Sequence, residues 1–299
     1  MLSLGLMLAI VFAFAGNIEL PLEGVWVEDP EGKPVIDRGP EGAWDHVAVD
    51  NPFIYIEDGV FYCFYEGENE RRQEQVGIAV STDLLRWRKY EGNPVLKVGP
   101  PGAWDSLAAK IPVVARNKET YFLLYTGKDG KGAAIGVARS NDLRHWEKYP
   151  GNPVLPGRQG KWDPILTTSP SLIERDGVFY MIYRGMKGFY TDQKLGLAIS
   201  RDLLHWNRRD KPLRGLDDIY SFAICPWLIN GEYMALAQKL PPKHIYLSAD
   251  LISWRRGPVL TFSAGKIDTP SQPILIDGVL WILYEKGDRI YRARFEPRP

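Results

Sequence analysis

The chain has no excess of charge of either sign, and it has few of the residues that bind metals or form disulfides. Its 299 residues include 37 basic and 37 acidic side chains, so the formal net charge is zero. A balanced charge gives no electrostatic attraction toward nucleic acid or an anionic membrane. The two cysteines are too few for a disulfide scaffold, and the four histidines are scattered without the spacing of a metal site. We therefore predict no metal and no nucleic-acid partner.

Long hydrophobic runs are also scarce, and the only one lies at the start of the chain. Leu2 to Ala15 is almost wholly apolar and ends in the small-x-small form that signal peptidase cleaves. The run is shorter than a comfortable membrane span. We predict a signal peptide over residues 1–16 and a single domain over residues 17–299, secreted or periplasmic, monomeric and free of the membrane after cleavage. A membrane anchor or a misassigned start is the alternative, because no Lys or Arg precedes the run.

Turn-forming and aromatic residues are abundant, with 23 Pro, 29 Gly, 10 Trp and 15 Tyr. This mixture indicates short strands separated by frequent turns. An internal repeat of about 60 residues organises them. Three copies open with Trp-Asp and two are weaker; they start at Gly42, Gly102, Gly160, near Asp218 and at Asp268.

Each copy follows the same plan of four strands. A first strand passes through a proline, which we place at Pro52, Pro112, Pro170, Pro226 and Pro273. Four copies then have a dipeptide suited to the positive φ of a two-residue hairpin: Asp58-Gly59, Asp176-Gly177, Asn230-Gly231 and Asp277-Gly278. The pattern Ser-x-Asp-Leu-x-x-Trp precedes the fourth strand at Ser81, Ser140, Ser200 and Ser248. We expect its Asp to cap the turn and its Trp to pack between repeats.

A series of tryptophans predicts how the repeats close. Trp26 precedes the first Trp-Asp, and the fifth copy ends without the Trp that closes the Ser-x-Asp-Leu-x-x-Trp pattern. The N-terminal segment should therefore supply the outer strand of the last repeat and remove an exposed sheet edge. We predict an all-β fold, a five-bladed β-propeller with four-stranded antiparallel blades and a ring closed by an N-terminal strand. Cys63 and Cys225 fall in blades 1 and 4, so we expect two free, buried thiols.

Propellers bind ligands in a funnel at one end of the axis, and residues that break the repeat there are candidates for function. Asp45, Asp105 and Asp163 recur, which favours a structural role. The non-recurring set differs from blade to blade. Its candidates for substrate binding are Asn51, Lys110, Ser169, Arg184, Tyr190, Tyr220 and Gln272. Aromatic and hydrogen-bonding side chains of this kind suit a carbohydrate.

Four carboxylates in the same set are candidates for catalysis: Asp50, Glu66, Asp268 and Glu285. Glycoside hydrolysis uses two such groups, one held protonated as the acid and one ionised as base or nucleophile. A separation of about 5–5.5 Å suits retention of configuration, and about 6.5–9.5 Å suits inversion. The sequence leaves open which pair acts, and for each residue a salt bridge or a solvated strand end is the structural alternative.

The chain resembles the five-bladed propeller superfamily of glycoside hydrolases that includes families 32, 43, 68, 117 and 130. The resemblance spans residues 24–296 and rests on Tyr-x-Gly strand ends, the Ser-x-Asp-Leu-x-x-Trp series and two Gly-Asn-Pro-Val-Leu runs. Families 32 and 43 imply an acid before each of the first three blade prolines. Asp50 fits with a displacement of one residue, whereas Lys110-Ile111 and Thr168-Ser169 replace the other two. Some relatives hold a structural calcium, but nothing in this sequence indicates one, so we predict no cofactor.

The main hypothesis from the sequence is a secreted glycoside hydrolase that acts on an oligo- or polysaccharide chain end through paired carboxylates in the funnel. One alternative is a carbohydrate-binding propeller without activity. Another is a glycoside phosphorylase, since family 130 includes phosphorylases in which basic residues hold phosphate, and Lys110 and Arg184 would suit that role. The sequence does not identify the sugar.

Overall fold

The computed structural model describes residues 17–188, 192–216, 219, 221–238 and 243–298, and every regular element among them is a β-strand. The prediction of an all-β protein is therefore confirmed. Within the same residues, no helix could cross a membrane.

The strands fall into groups of four that follow the sequence repeat. Two strands precede the first group: β1 (Asn17–Ile18) and β2 (Gly24–Glu28). Unit 1 contains β3 (Ala48–Glu57), β4 (Val60–Glu68), β5 (Glu74–Ser81) and β6 (Arg88–Lys89). Unit 2 contains β7 (Ala108–Asn117), β8 (Thr120–Lys128), β9 (Ala133–Ser140) and β10 (Glu147–Lys148). Unit 3 contains β11 (Leu166–Arg175), β12 (Val178–Met186), β13 (Lys194–Ser200) and β14 (Asn207–Arg208).

Unit 4 also has four consecutive strands, whereas unit 5 takes one strand from the N-terminal segment. Unit 4 contains β15 (Ser221–Ile229), β16 (Glu232–Gln238), β17 (His244–Ser248) and β18 (Arg255–Val259). A short strand, β19 (Thr261–Phe262), follows. Unit 5 contains β20 (Ile274–Ile276), β21 (Val279–Glu285) and β22 (Ile290–Pro297). Its fourth strand is β2, which pairs antiparallel with β22 so that Trp26 lies opposite Phe295.

Neighbours within each unit are antiparallel, as meandering strands joined by short turns should be. The predicted hairpin dipeptides lie in these turns. Asp58 and Gly59 have φ values of 49° and 74°, and the other three dipeptides also have two positive φ values. Successive positive φ values match the right-handed twist of the flanking strands, which explains why Asp-Gly and Asn-Gly occur there. The sequence prediction of these turns is confirmed.

The predicted caps are also confirmed. Asp83 Oδ1 accepts hydrogen bonds from the backbone N–H groups of Leu85 and Arg86, at 2.9 and 2.8 Å. Asp142, Asp202 and Asp250 make the same pair of bonds in their own units. Each turn therefore needs its Asp, because the carboxylate satisfies two backbone donors that the strand ladder does not reach.

Apolar side chains are buried between neighbouring units. One cluster joins Phe64 of unit 1 to Leu123 of unit 2, and another joins Cys63 of unit 1 to Leu283 of unit 5. Trp146 stands edge-on to Phe64, with ring centroids 5.8 Å apart, so this Trp packs between units as expected. Cys63 and Cys225 are both free and buried, which confirms the prediction for the thiols.

The recurring aspartates hold the inner part of a unit to its outer strand. Tyr65 donates its hydroxyl to Asp45 at 3.1 Å, and Lys89 of the outer strand β6 reaches the same carboxylate at 2.5 Å. Unit 2 repeats this with Tyr125, Asp105 and Lys148. In unit 3 the fully buried Asp163 accepts from Tyr183 and pairs with Arg158 and Arg208. Their recurrence in the sequence reflects this structural role.

Candidate active site

A narrow channel of about 50 Å³ runs where the first strands of the five units meet. Each unit contributes one short segment to its wall: residues 51–53, 111–113, 169–172, 221–224 and 269–272. Two of the prolines chosen from the sequence are therefore wrong as counterparts of Pro52. In unit 5 the equivalent is Pro270, not Pro273, and in unit 4 Phe222 takes the place assigned to Pro226.

The backbone bends in the same way beside the channel in three units. Asn51, Ile111 and Ser169 have φ values of 45°, 53° and 55°, and each precedes a proline. The strand register shifts at each of these points, as in a β-bulge. Positive φ is costly for a branched residue such as Ile111. The bend is thus imposed by the fold, and it interrupts the regular ladder directly after Asp50, Lys110 and Thr168.

Asp50 and Glu66 form a pair at this bend. They lie directly opposite each other in β3 and β4. The amide Nδ2 of Asn51 donates to Asp50 Oδ1 at 2.8 Å and to Glu66 Oε2 at 3.0 Å. Because both bonds come from one nitrogen, these two carboxylate oxygens are no more than 5.8 Å apart. Asp50 is partly exposed, and Glu66 is buried.

Lys110 stands beside this pair and is itself neutralised. Its Nζ lies 2.5 Å from Glu74 Oε1 and 3.7 Å from Glu66 Oε1. Burial alone would lower the pKa of Lys110, but the two carboxylates raise it, so the side chain stays charged. The sequence prediction placed Lys110 at the site but missed Glu74, which comes from the start of β5.

Protons are held tightly at this pair. Burial, followed by the negative charge of Glu285, raises the pKa of Asp50 to about 8 from an ordinary value of 3.8. Burial and the neighbouring Asp50 raise the pKa of Glu66, and Lys110 opposes that shift. Two carboxyl groups so close cannot both ionise easily. Near neutral pH the pair therefore retains a proton that can be donated.

Unit 5 contributes a second acidic pair. The backbone N–H of Asp268 donates to the carbonyl of Glu285 at 2.9 Å, so the two residues are neighbours on adjacent segments. Burial and then the charges of Asp268 and Glu66 raise the pKa of Glu285 to about 7. Lys243, which the sequence prediction missed, is buried and donates to the carbonyl oxygen of Asp268. Burial lowers the pKa of Lys243.

Unit 3 carries hydroxyl groups and a guanidinium where unit 1 carries acids. Thr168 lies opposite Arg184 in the strand register, as Asp50 lies opposite Glu66. Arg184 Nε donates to Thr168 Oγ1 at 3.1 Å. Ser169 lines the channel, and its backbone N–H donates to Thr126 Oγ1 at 3.0 Å.

The remaining predicted residues have separate outcomes. Gln272 lines the channel wall, but its amide donates to the carbonyl of Ile54 at 2.6 Å, a contact with unit 1. Tyr190 and Tyr220 lie outside the described residues. Among the residues that are described, no group of three or more His, Cys, Asp or Glu side chains could hold a metal ion.

Comparisons with known proteins place this chain within a family of carbohydrate enzymes. The model of glycoside hydrolase family 130, described as beta-1,4-mannooligosaccharide phosphorylase, matches residues 43–223. A 1,2-beta-oligomannan phosphorylase of Thermoanaerobacter sp. (strain X514) is 24% identical over 230 residues, which cover 70% of this chain and 75% of that protein.

Solved structures of low identity share the fold. A glycosyl hydrolase from Bacteroides ovatus aligns with a TM-score of 0.68 at 17% identity, over 93% of this chain and 95% of that one. A family 130 structure, from work reporting hydrolases that target beta-1,2 mannosidic linkages in Candida mannan, aligns with a TM-score of 0.67 at 16% identity, over 92% and 96%. The superfamily resemblance expected from the sequence is confirmed. The chain belongs to glycoside hydrolase family 130, a family of carbohydrate-active propeller enzymes.

Proposed function

We propose that this protein is a glycoside phosphorylase that removes a mannosyl unit from the end of a β-linked mannooligosaccharide and transfers it to inorganic phosphate. The observation that carries the proposal is the composition of the channel mouth. One unit supplies the proton-holding pair Asp50 and Glu66, whereas the matching positions of the next two units are Lys110 and Thr168. These residues at the channel mouth favour the phosphorylase over the hydrolase, which is the main hypothesis from the sequence.

The chemistry explains why a single proton-donating carboxyl group suffices. A hydrolase needs an ionised carboxylate to activate water or to attack the sugar itself. Phosphate already carries negative charge and is its own nucleophile, so that second carboxylate is not required. In the proposed step a phosphate oxygen bonds to the anomeric carbon while the bond from that carbon to the glycosidic oxygen breaks. Asp50 donates its proton to the departing oxygen and later recovers one from solvent.

An anionic co-substrate also needs cationic side chains close to these acids. Lys110 is paired with Glu74 and Glu66, so we assign it to these two acids rather than to phosphate. Arg184 and Lys243 are the cations we assign to phosphate. In unit 3, Arg184 lies at the strand position that Glu66 has in unit 1. Among the described residues, Lys243 Nζ donates to a backbone carbonyl rather than to a carboxylate.

Hydrolysis is the second candidate, and the acids of unit 5 favour it. Glu285, with a pKa of about 7, is ionised in part of the population at neutral pH and could act as a base toward water. The pairing of Asp50 with Glu66, within 5.8 Å, also lies near the spacing of paired glycosidase acids.

Phosphate dependence separates the two candidates. Linear β-1,4- and β-1,2-mannooligosaccharides should be cleaved only when inorganic phosphate is added, with mannose 1-phosphate as product. Asp50→Asn should lower kcat by a factor of about 10²–10⁴, because the amide cannot donate the proton. The control is Asp210→Asn, which changes an exposed acid that is distant from Asp50 in the sequence, and this variant should retain activity. Release of free mannose at an equal rate without phosphate would instead establish the hydrolase.

We also propose that the five units form a closed ring, with β2 completing the last blade. The pairing of β2 with β22 and the apolar cluster between units 5 and 1 support closure. Export with removal of residues 1–16 stays a prediction, and mass spectrometry of the mature N-terminus in a culture medium or periplasmic extract would test it.

A further inference from the structure

A second cavity, which we call the outer cleft, lies apart from the channel. It encloses about 740 Å³, within the range of pockets that hold small molecules. Residues 90–95 of unit 1 form one side, and residues 139–147 of unit 2 form most of the other. None of its lining residues lines the channel. The proposed reaction gives this cleft no role.

Two partly exposed aromatic rings contribute to the cleft. Trp146 donates its indole N–H to the carbonyl of Leu143 at 3.0 Å, so its only polar group is satisfied inside the protein. Packing against Phe64 fixes the ring. On the opposite side, Tyr90 receives the guanidinium of Arg144 at 6.0 Å from its ring centroid, a cation–π contact that spans the two units. The cleft thus offers fixed apolar surfaces beside polar groups.

The charges that line the cleft cancel. Two are positive, Arg139 and Arg144, and two are negative, Asp142 and Glu147. Asp142 is further occupied by His145 Nδ1 at 2.6 Å. A lining without net charge gives no preference for an anion or a cation. The ligand it suits is uncharged, rich in hydroxyl groups and apolar on one face, which describes a neutral sugar chain.

Three charged residues of the cleft also break the repeat. Alignment on the Ser-x-Asp-Leu-x-x-Trp pattern pairs Arg139, Arg144 and Glu147 of unit 2 with different residues in the neighbouring units. Unit 1 has Val80, Leu85 and Arg88, and unit 3 has Ile199, Leu204 and Asn207. The turn itself folds without these three side chains, so they are not needed for the scaffold.

We propose that the outer cleft is an auxiliary site that binds a neutral oligosaccharide segment, separate from the channel where cleavage occurs. Only the choice of sugar rests on the proposed function. The site would hold a long chain on the enzyme while its end is processed, and short substrates would not need it. Tyr90 and Trp146 would pack against the sugar, and Arg139 and Glu147 would bond its hydroxyl groups.

Affinity electrophoresis in gels containing soluble galactomannan, with calorimetric titration of β-1,4-mannohexaose, tests the proposal. Wild-type protein should be retarded, and Tyr90→Ala and Arg144→Ala should each weaken binding by about fivefold or more. Arg86→Ala removes an exposed arginine from the corresponding turn of unit 1 and should bind within about twofold of wild type. Thermal unfolding should show that all three variants remain folded.

Several results would overturn the proposal. Unchanged retardation of both cleft variants would show that any binding occurs elsewhere, such as in the channel. Absence of retardation in the wild type, or retardation only by a sulfated polysaccharide, would also reject a neutral-sugar site. If no phosphate-dependent cleavage is found at all, the proposed function fails, while the binding result still decides the cleft.

Discussion

Replacing Asp163 with alanine should destabilise the protein strongly, although this residue lies outside the proposed chemistry. Its carboxylate is fully buried and accepts the Tyr183 hydroxyl at 2.8 Å. It also lies 3.0 Å from Arg158 Nε and 3.3 Å from Arg208 Nη1. Removal leaves two guanidinium groups and one buried hydroxyl without this acceptor. One broken buried ion pair costs about 3–5 kcal/mol.

The expected loss can be measured as a shift in the unfolding transition. In a chain of this length, 1 kcal/mol corresponds to roughly 2 °C in Tm, so Asp163→Ala should melt about 6–10 °C below wild type. Urea denaturation followed by tryptophan fluorescence gives an independent measure, with the midpoint lowered and the slope unchanged.

Asp210→Ala is the matched control for this experiment. Asp210 also contacts Arg158, at 3.3 Å, but its side chain is 68% exposed. Exposed ion pairs contribute about 0–1 kcal/mol, so this variant should melt within about 2 °C of wild type. If Asp163→Ala were as stable as Asp210→Ala, the recurring aspartates would not be structural, and the separation of scaffold from site residues would be wrong.

Three further predictions follow from the site and the packing. The alkaline limb of the kcat/KM profile should lie near pH 8, where Asp50 loses its proton, and activity should fall above that pH. Because the pKa values of Asp50 and Glu285 are raised by folding, the free energy of unfolding should decrease as pH rises from about 4 to about 8, and Asp50→Asn should reduce that decrease in urea titrations. Gly77→Ala should lower the unfolding free energy by about 1–3 kcal/mol, since its Cβ would meet Trp44 at 2.5 Å; a stability equal to wild type would show that Trp44 moves freely.

The repeating features could be predicted from the sequence because each has a local cause. Asp-Gly and Asn-Gly turns need positive φ, and the capping Asp of each Ser-x-Asp-Leu-x-x-Trp pattern bonds backbone donors two and three residues away. Such interactions depend on neighbours in the chain, so the same letters recur wherever the same turn recurs.

The predicted channel prolines of units 4 and 5 are wrong because the spacing of the repeat changes there. Trp206 and Trp254 are closer together than the other tryptophans of the series, and the unit between them has no proline at the channel. A proline near the first strand is therefore a poor marker in these units, because Pro226 and Pro273 lie beyond the channel segments. In unit 5, Tyr284 is a better marker of the channel position. It is equivalent to Tyr65 of unit 1, and it pairs with Pro270 across the strands.

The site was predicted only in part, because some of its residues come from elements that were not compared. Asp50, Glu66, Lys110 and Glu285 lie on the first two strands of their units and interact as a group. Glu74 lies seven residues before Ser81, at the start of the third strand, where units 2 and 3 have Ala133 and Gln193. Comparison of that position between repeats would have revealed it. The same comparison would have revealed Lys243, which lies five residues before Ser248, where units 1–3 have Val76, Ile135 and Leu195.

The origin of the oxygen on the released sugar tests the proposed function most directly. The reaction should be run on a β-linked mannooligosaccharide in H₂¹⁸O with unlabelled phosphate, and the products analysed by mass spectrometry. Phosphorolysis predicts mannose 1-phosphate without ¹⁸O at the anomeric position, in an amount equal to the bonds cleaved. Free mannose carrying one ¹⁸O would show that water is the nucleophile and would contradict the proposal.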